Sequence, residues 1–322
     1  MAKVNSVIGV EFDSRNIRAV ELTKGADGQT AVTAFGRIPL QENIISGGII
    51  ADPNLFTQAL SSLMKECGFR NNSGVVVGVN NENVIMRYAR FPKVPDDKLR
   101  GVVTMQAQDF IPVPVSELEL DFVVIEDTVD DDDQPAINVL LVGARKSMIS
   151  NLITSFEQSK LEVVDIDSTF LAWIRPVLAT LGEEPAGLMM LTDDVLDFIA
   201  VSDREIKMVR SINIPDRAAT AVKQAFNYPE AVTPDEMESI TDRLFSELSS
   251  SINYYQMQSG GIISSVFFSA ATPLQSQLFE ALNQKSYVPV TAPQLYAEFA
   301  TETFNPTDYA SCISLAKAAL GE

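Results

Sequence analysis

The chain has 322 residues, 46% hydrophobic and 21% charged, which is typical of a folded protein with enough core for two domains. It contains no histidine, which excludes histidine-based catalytic triads and imidazole metal ligands. A formal net charge of −19 argues against binding to nucleic acid or directly to anionic lipid, because both need clustered Lys and Arg.

The sequence also predicts where the protein is found. No run reaches the roughly 18 consecutive apolar residues of a membrane helix, and the first residues lack the apolar core of a signal peptide. The two cysteines, Cys67 and Cys312, have no metal-binding spacing and are expected to be reduced. We therefore expect a cytoplasmic protein with no direct membrane insertion, which would reach a membrane only through a partner.

The first predicted elements form an α/β unit. Alternating residues predict a hairpin of Ser6–Phe12 and Ile17–Leu22, and a third strand at Thr30–Ile38. A helix is predicted at Asp52–Cys67, with Asp52 as its N-cap and a proline at its first position. The apolar run Gly74–Val79 predicts a buried strand.

A second unit is predicted to interrupt the first. Its elements follow the order β-α-β-β-α-β, and they are expected at Val84–Phe91, Asp97–Phe110, Leu118–Glu126, Ala136–Ala144, Lys146–Ser159 and Leu161–Asp167. A unit of this size is compact enough to be an inserted subdomain. The acidic run Asp130–Asp133 at its tip lacks the turning glycine of a calcium loop, so we interpret it as a solvated loop.

After a predicted helix at Thr169–Leu181, the strand-then-helix order repeats. Strands are expected at Leu188–Leu191, Asp197–Val201, Ile206–Ile214, Val266–Ser269 and Val288–Val290, and helices at Arg217–Asn227, Asp235–Gln258, Leu274–Asn283 and Asp308–Leu320. A doubled α/β plan is typical of two-lobed folds with a nucleotide cleft. The predicted division is 1–83 plus 168–184 for the first lobe, 84–167 for the insert, and 185–322 for the second lobe with a reduced subdomain around 216–254.

Several short motifs, in this order, carry a family resemblance. They are Gly48-Ile49-Ile50, Gly74–Val79, the strand Val84–Pro92 that ends in proline, Gln106–Pro112, Glu117–Phe122, Arg210-Ser211-Ile212 and Glu247–Tyr255. In order and spacing, the chain resembles the PilM family of type IV pilus assembly proteins over nearly its whole length. The resemblance implies a two-lobed actin-like (RNase H-like) fold with an inserted subdomain.

The resemblance also implies a role and partners. Family members lie on the cytoplasmic face of the inner membrane, bind the N-terminal cytoplasmic tail of a PilN-type membrane protein and help couple the pilus platform to its motor ATPases. We therefore expect a scaffold and not an enzyme. The alternative that stays open is an actin-like ATP-binding protein or ATPase with an active cleft, because this fold hosts both classes.

The family's first phosphate turn has the pattern Asp-Ile-Gly-Ser-x-Ser/Thr-x-Lys. Against it, this chain places Glu11 at the acid, Asp13 at the glycine, and Ser14, Asn16 and Arg18 at the polar and basic positions. Phosphate turns need glycine for close backbone approach, so the charge of Asp13 is expected to face and repel a phosphate. These five are the candidate nucleotide-site residues. For Glu11 itself, a strand-end acid that hydrogen-bonds to the adjacent turn is the preferred interpretation, and a metal ligand is the alternative.

The other two nucleotide motifs have also lost glycine. An ungapped alignment puts Met190 at the second aspartate, Thr192 at the glycine and Leu196 at the phosphate-contacting threonine. A shifted register could recruit Asp193 or Asp194, although a solvated turn is the preferred interpretation of both. Ala270-Ala271 stands in place of the Gly-Gly that contacts adenosine. We therefore expect no cofactor, neither ATP nor magnesium, and no catalytic or metal-binding residue.

The partner site is expected in a groove between the insert and the first lobe. An extended apolar peptide could gain backbone hydrogen bonds from the strand Val84–Phe91 and an apolar wall from Phe110 and Ile111. Arg87 or Arg90 could contact its carbonyls or an acidic residue. For the loop Phe110–Pro114 by itself, a structural role at the subdomain boundary is the preferred interpretation, because such junctions commonly bury apolar residues.

Overall fold

The computed structural model describes residues 5–192, 195–213, 229–270 and 274–322. Its strands and longer helices, numbered in chain order, are β1 (Ser6–Phe12), β2 (Asn16–Lys24), β3 (Thr30–Pro39), β4 (Ile45–Ser46), β5 (Ile49–Ile50), α1 (Pro53–Glu66), β6 (Gly74–Val79), β7 (Val84–Pro92), α2 (Asp96–Gln106), β8 (Leu118–Val129), β9 (Pro135–Arg145), α3 (Lys146–Gln158), β10 (Val163–Ser168), α4 (Thr169–Thr180), β11 (Ala186–Leu191), β12 (Val195–Ser202), β13 (Glu205–Asn213), α5 (Pro234–Ser259), β14 (Ser265–Ala270), α6 (Gln275–Lys285), β15 (Val290–Thr291) and α7 (Ala310–Ala319). The predicted helix Arg217–Asn227 lies outside the described residues.

The first sheet has the strand order β10-β6-β1-β2-β3. β1 and β2 form the predicted antiparallel hairpin, whereas β6 runs parallel to both β1 and β10. Alternate residues of β1 point to opposite faces, so Ile8 packs in a core with α1 and α3, while Val7 packs in another with α7. The sheet is therefore covered by helices on both faces.

The N-terminus of α1 shows how local chemistry sets these elements. The Asp52 carboxylate accepts the Leu55 N–H at 3.0 Å, and Pro53 occupies the first helical turn, as predicted. The helix then buries Phe56, Leu60 and Leu63 against the first sheet.

Strands β7, β9 and β8 form a separate antiparallel sheet, with β9 in the centre. Helix α2 covers one face, where Val103 and Ala107 pack on Phe91, Val139 and Leu141. The other face packs against α4 and the second sheet through Met86 and Leu140.

The structure differs from the predicted β-α-β-β-α-β insert. Strand β10 pairs with β6 in the first sheet, and α3 packs with α1 against that sheet. The insert therefore consists only of β7, α2, β8 and β9. The chain returns to the first sheet after β9 instead of after residue 167. The alternation of residues in β10 is the same for either sheet, so it could not show which one the strand joins.

The second sheet has the strand order β13-β12-β11-β14-β15. Helices α5 and α6 cover one face, and α4 lies on the other with Trp173 and Ile174 against Leu188 and Ile199. Helix α5 begins with a capping box, in which Thr233 Oγ1 accepts the Glu236 N–H and the Glu236 carboxylate accepts the Thr233 N–H.

Helix α7 was predicted to belong with the second lobe, and this is wrong. Its residues Cys312, Ile313 and Leu315 pack on β1, β2 and β6 of the first sheet. Gly9 permits this packing, because a Cβ there would lie 1.9 Å from the Cys312 carbonyl oxygen. In the part of the chain that the structure describes, no helix is long and apolar enough to cross a membrane.

Candidate functional site

A cleft of about 730 Å³ lies between the first and second sheets, at the carboxyl ends of the parallel strands β1, β6, β11 and β14. Such ends are where open α/β sheets bind ligands. Its lining includes Glu11, Asp13, Ser14, Asn16, Arg18, Asn80, Thr169, Met190, Thr192, Ser269 and Ala270. The structure therefore brings together all five residues predicted for the first phosphate turn.

Arg18 is neutralised by two carboxylates of its own hairpin. Glu11 lies directly opposite it in the β1–β2 register, and Arg18 Nε donates to Glu11 Oε1 at 2.7 Å. Arg18 Nη2 donates to Asp13 Oδ2 at 2.9 Å. Burial disfavours the charged guanidinium, but Glu11 and Asp13 outweigh it and raise the pKa of Arg18 above its ordinary range. The cation at the family's lysine position is thus already paired.

The carboxylate of Asp13 is turned into its own hairpin. Its Oδ1 accepts the backbone N–H of Arg15 at 2.8 Å and that of Asn16 at 2.9 Å. Short aspartate side chains commonly bond the backbone of the turn that they begin. Successive backbone N–H groups in such a turn are the donors that bind phosphate in anion-binding nests. Here a protein carboxylate has taken two of them.

The second turn also bonds to itself. Thr192 Oγ1 donates to the Val195 carbonyl at 3.0 Å and accepts the Val195 N–H at 3.1 Å. Met190, which the ungapped alignment puts at the family's second aspartate, lines the cleft with a thioether. Leu196, which the same alignment puts at the phosphate-contacting threonine, is buried in the core beneath α5 and α6. The Asp193 and Asp194 positions lie outside the described residues.

The third motif, Ala270-Ala271, has side-chain atoms where the family's glycines have none. Ala270 is buried against the cleft, and its N–H donates to Gln275 Oε1 at 3.3 Å. Its Cβ occupies space that a glycine would leave open. Ala271 lies outside the described residues.

Asp197 was missed by the sequence analysis and lies beside the cleft. It is fully buried on β12, directly opposite Met190 in the register, so both side chains share one face of the sheet. Its carboxylate accepts Asn80 Nδ2 at 2.8 Å and Ser211 Oγ at 2.5 Å. Burial raises the pKa of Asp197 to about 6, although both hydrogen bonds oppose the shift. The available signal was a single acid inside an apolar strand.

The predicted partner residues do not form one surface. Ile111 is 3% exposed and packs in the core between α2 and its sheet. Ile111 therefore does not form the exposed apolar wall that was predicted for a bound peptide. Phe110 is 37% exposed, and its ring lies 5.1 Å from that of Phe91.

The two predicted arginines lie on opposite faces of β7 and have different surroundings. Arg90 is exposed and pairs with Asp131 of the acidic tip at 2.8 Å. Arg87 is half-buried, its Nη1 donates to the Met86 carbonyl at 2.8 Å, and burial lowers its pKa. Among the described residues it forms no ion pair with a carboxylate.

Comparison with solved structures identifies the fold. One chain of a PilM–PilN type IV pilus biogenesis complex matches with a TM-score of 0.75 at 20% identity, over 99% of both chains. A Bacteroides thetaiotaomicron protein with an actin-like ATPase fold and unknown function matches with a TM-score of 0.53 at 9% identity, over 98% of this chain and 96% of that one. The ethanolamine utilization protein EutJ from Carboxydothermus hydrogenoformans matches with a TM-score of 0.51 at 10% identity, over 97% and 89%.

These likenesses show that the fold is actin-like, as predicted. The sequence itself is matched by a family model for the type IV pilus assembly protein PilM over residues 9–193, more than half of the chain. The chain therefore belongs to the PilM family of type IV pilus assembly proteins.

Proposed function

We propose that the protein is a non-catalytic scaffold of the type IV pilus assembly platform, with a cleft that no longer holds Mg-ATP. The observation that carries this proposal is the Asp13 carboxylate, which takes the backbone donors of Arg15 and Asn16. A phosphate would have to displace this bonded carboxylate and approach its charge. Arg18 bonds both Asp13 and Glu11, so one positive charge faces two carboxylates and the three side chains together keep a net negative charge.

The residues of the cleft do not suit magnesium either. A magnesium-binding acid needs a free carboxylate oxygen and room for the ion's water ligands. Glu11 is buried and bound to Arg18, and Met190 and Ala270 bring apolar atoms to the positions of the family's second aspartate and adenosine glycine. All three motifs therefore support a structural role for the cleft.

Calorimetry with Mg-ATP at millimolar concentration tests this part of the proposal. A ligand that binds only the folded state raises the melting temperature by mass action. Because we propose that Mg-ATP does not bind, we expect no binding heat and no rise in the melting temperature. Binding in the micromolar range, or ATP turnover, would favour the alternative of an actin-like ATPase.

The proposed partner is the N-terminal cytoplasmic tail of a PilN-type membrane protein, through which the scaffold is held at the inner membrane. The solved relative that matches over 99% of this chain comes from a PilM–PilN complex. A contact to a pilus motor ATPase is part of the same proposed role. The family resemblance is its support.

The structure suggests how β7 could take part in holding the tail. It is an edge strand of the three-stranded sheet, and Arg87 and Phe91 lie on the same face. The two residues are four positions apart along the strand, which corresponds to about 13 Å and is within the reach of a short extended peptide. Arg87 could pair with an acidic residue of the tail, and the exposed edge of Phe110, beside Phe91, could contact an apolar one. Arg90 is on the opposite face and is not part of this surface.

Titration with a synthetic tail peptide of the PilN-type protein from the same organism tests the partner. Arg87→Met and Phe110→Ala should each weaken binding about tenfold, which corresponds to about 1.4 kcal/mol. Arg100→Met removes an exposed arginine of the same sheet unit and serves as the matched control. If both variants fold and bind the tail as tightly as the control, the tail binds elsewhere.

A further inference from the structure

The outer edge of β8 is long and unpaired. β8 spans twelve residues and ends the strand order β7-β9-β8, so its second edge has no strand partner among the described residues. In an edge strand of an antiparallel sheet, alternate residues point their N–H and C=O groups outward. Such a row of backbone groups can pair with a further strand.

β8 lacks three of the features that protect the other edge strands from pairing. Lysine or arginine, proline and short length all discourage pairing with another chain. β7 carries Arg87, Arg90 and Pro92, and β3 and β13 also carry basic residues, whereas β10 and β15 have six and two residues. β8 has no basic residue and no proline, although a bulge lies between Val124 and Glu126.

Apolar side chains accompany the free edge. Val123 is 52% exposed, Val124 41% and Val129 51%. Successive residues alternate between the two faces, so Val123 and Val124 border the edge from opposite sides. A strand added at this edge would therefore cover apolar surface on both faces of the sheet.

Acidic residues set the charge of the edge. β8 carries Glu119, Asp121, Glu126 and Asp127, and the acidic tip Asp130–Asp133 follows it. Arg100 pairs with Asp121 at 2.8 Å, Lys93 with Asp127 at 2.6 Å and Lys207 with Glu126 at 2.6 Å. In the tip Asp131 pairs with Arg90, so among the described residues Glu119 and the other three tip aspartates have no ion pair. Like charges directly opposite each other destabilise a strand pair, so a second copy of β8 is disfavoured. An incoming basic strand is complementary.

We propose that the outer edge of β8 binds an extended segment of a partner protein in which basic residues alternate with β-branched ones. Backbone hydrogen bonds supply the pairing, the acidic residues select the basic side chains, and the valines bury the β-branched ones. β8 and β7 are the opposite edges of this sheet, and each lies about 5 Å from the central strand β9. This surface is therefore separate from the proposed tail site.

Hydrogen exchange on the full chain tests the proposal with a defined probe. The probe is an eight-residue peptide of alternating Lys and Val, and its counterpart alternates Glu and Val. The Lys–Val peptide should slow exchange of amides between Glu119 and Val129 at least about fivefold, and added salt should reverse the effect. The Glu–Val peptide should leave exchange unchanged.

Val124→Lys places a cation at the edge and should abolish the protection. Val164→Lys, which alters an equally exposed valine of the edge strand β10, should retain it. Both valines are exposed, so melting temperatures close to wild type are expected and are measured first. Equal protection by both peptides, protection that survives Val124→Lys, or no protection overturns the proposal. Protection without peptide that grows with protein concentration also overturns it, in favour of a second copy.

Discussion

Asn80 donates a hydrogen bond from Nδ2 to Oδ2 of Asp197 at 2.8 Å. Asn80 follows the last residue of β6 in the first sheet, and Asp197 lies within β12 of the second sheet. The bond therefore joins the two sheets beside the cleft, through a carboxylate that is fully buried. Protein side chains thus connect the two sheets beside the cleft.

The first prediction concerns the pH dependence of this bond. Burial raises the pKa of Asp197 from 3.8 to about 6. Between these values the folded state binds more protons than the unfolded state, so the free energy of unfolding falls as the pH rises from about 4 to 6 and levels off above. Asp197→Asn removes this titration and keeps the size and shape of the side chain.

Urea unfolding measures the expected effect. The stability of Asp197→Asn relative to wild type should increase by about 1 kcal/mol between pH 5 and pH 7. Asp109→Asn, at an exposed aspartate, is the control and should show no such trend. A difference between Asp197→Asn and wild type that stays constant over this range would contradict the assignment.

A second prediction concerns the first turn. Asp13→Gly frees the N–H groups of Arg15 and Asn16 and leaves Arg18 with one carboxylate partner. We expect affinity for inorganic pyrophosphate to rise by at least about tenfold, as measured by calorimetry at low ionic strength.

Asp27→Gly is the matched control for this variant. Asp27 also bonds its own turn, to the Gln29 N–H at 3.0 Å, and the change removes the same charge. Its turn lies at the other end of β2, about 30 Å away. Equal gains for both variants would show that net charge, and not the released donors, explains the effect.

A third prediction compares two glycines. Gly9→Ala would place a methyl group 1.9 Å from the Cys312 carbonyl oxygen, so α7 must move away from β1. We expect a loss of stability of about 2–4 kcal/mol, since backbone cannot yield as a flexible side chain does. Gly101 lies in α2, and a Cβ there would have no neighbouring atom within 4 Å. Gly101→Ala should therefore stabilise the protein by about 0.5–1 kcal/mol. Thermal unfolding of both variants checks the contrast, and similar melting temperatures would refute it.

The fourth prediction separates burial from exposure in one loop. Ile111→Asp puts a carboxylate into the core under α2 and should cost more than about 3 kcal/mol. Phe110→Ala loses a ring contact with Phe91 and should cost about 1 kcal/mol. Limited proteolysis within residues 84–145, together with urea unfolding, measures both. Wild-type resistance in Ile111→Asp would place that side chain at the surface.

Elements with strong local signals were predicted from the sequence. The β1–β2 hairpin follows from alternation around a polar turn, and α1 follows from Asp52, Pro53 and its apolar spacing. The actin-like fold followed from the doubled order of strands and helices and from the family resemblance. The signals for the hairpin and for α1 lie within a few residues of each other, so tertiary packing did not need to be known.

The remaining features depend on contacts between distant segments. Nothing within β10 or α7 indicates that both complete the first sheet, because apolar spacing does not specify a partner. Asp13 was expected to face a phosphate, whereas its carboxylate accepts the backbone N–H groups of its own turn. Asp197 acquires meaning only when folding brings Asn80 to it.

The docking of α7 on β1, β2 and β6 has a consequence for biosynthesis. Much of one face of the first sheet stays uncovered while the ribosome makes the three-stranded sheet and the second sheet, because α7, residues 310–319, supplies most of its buried cover and α4 adds Ala172. Apolar surface exposed for that long invites non-native association, which chaperones counteract. The sheet that is translated first is therefore completed last.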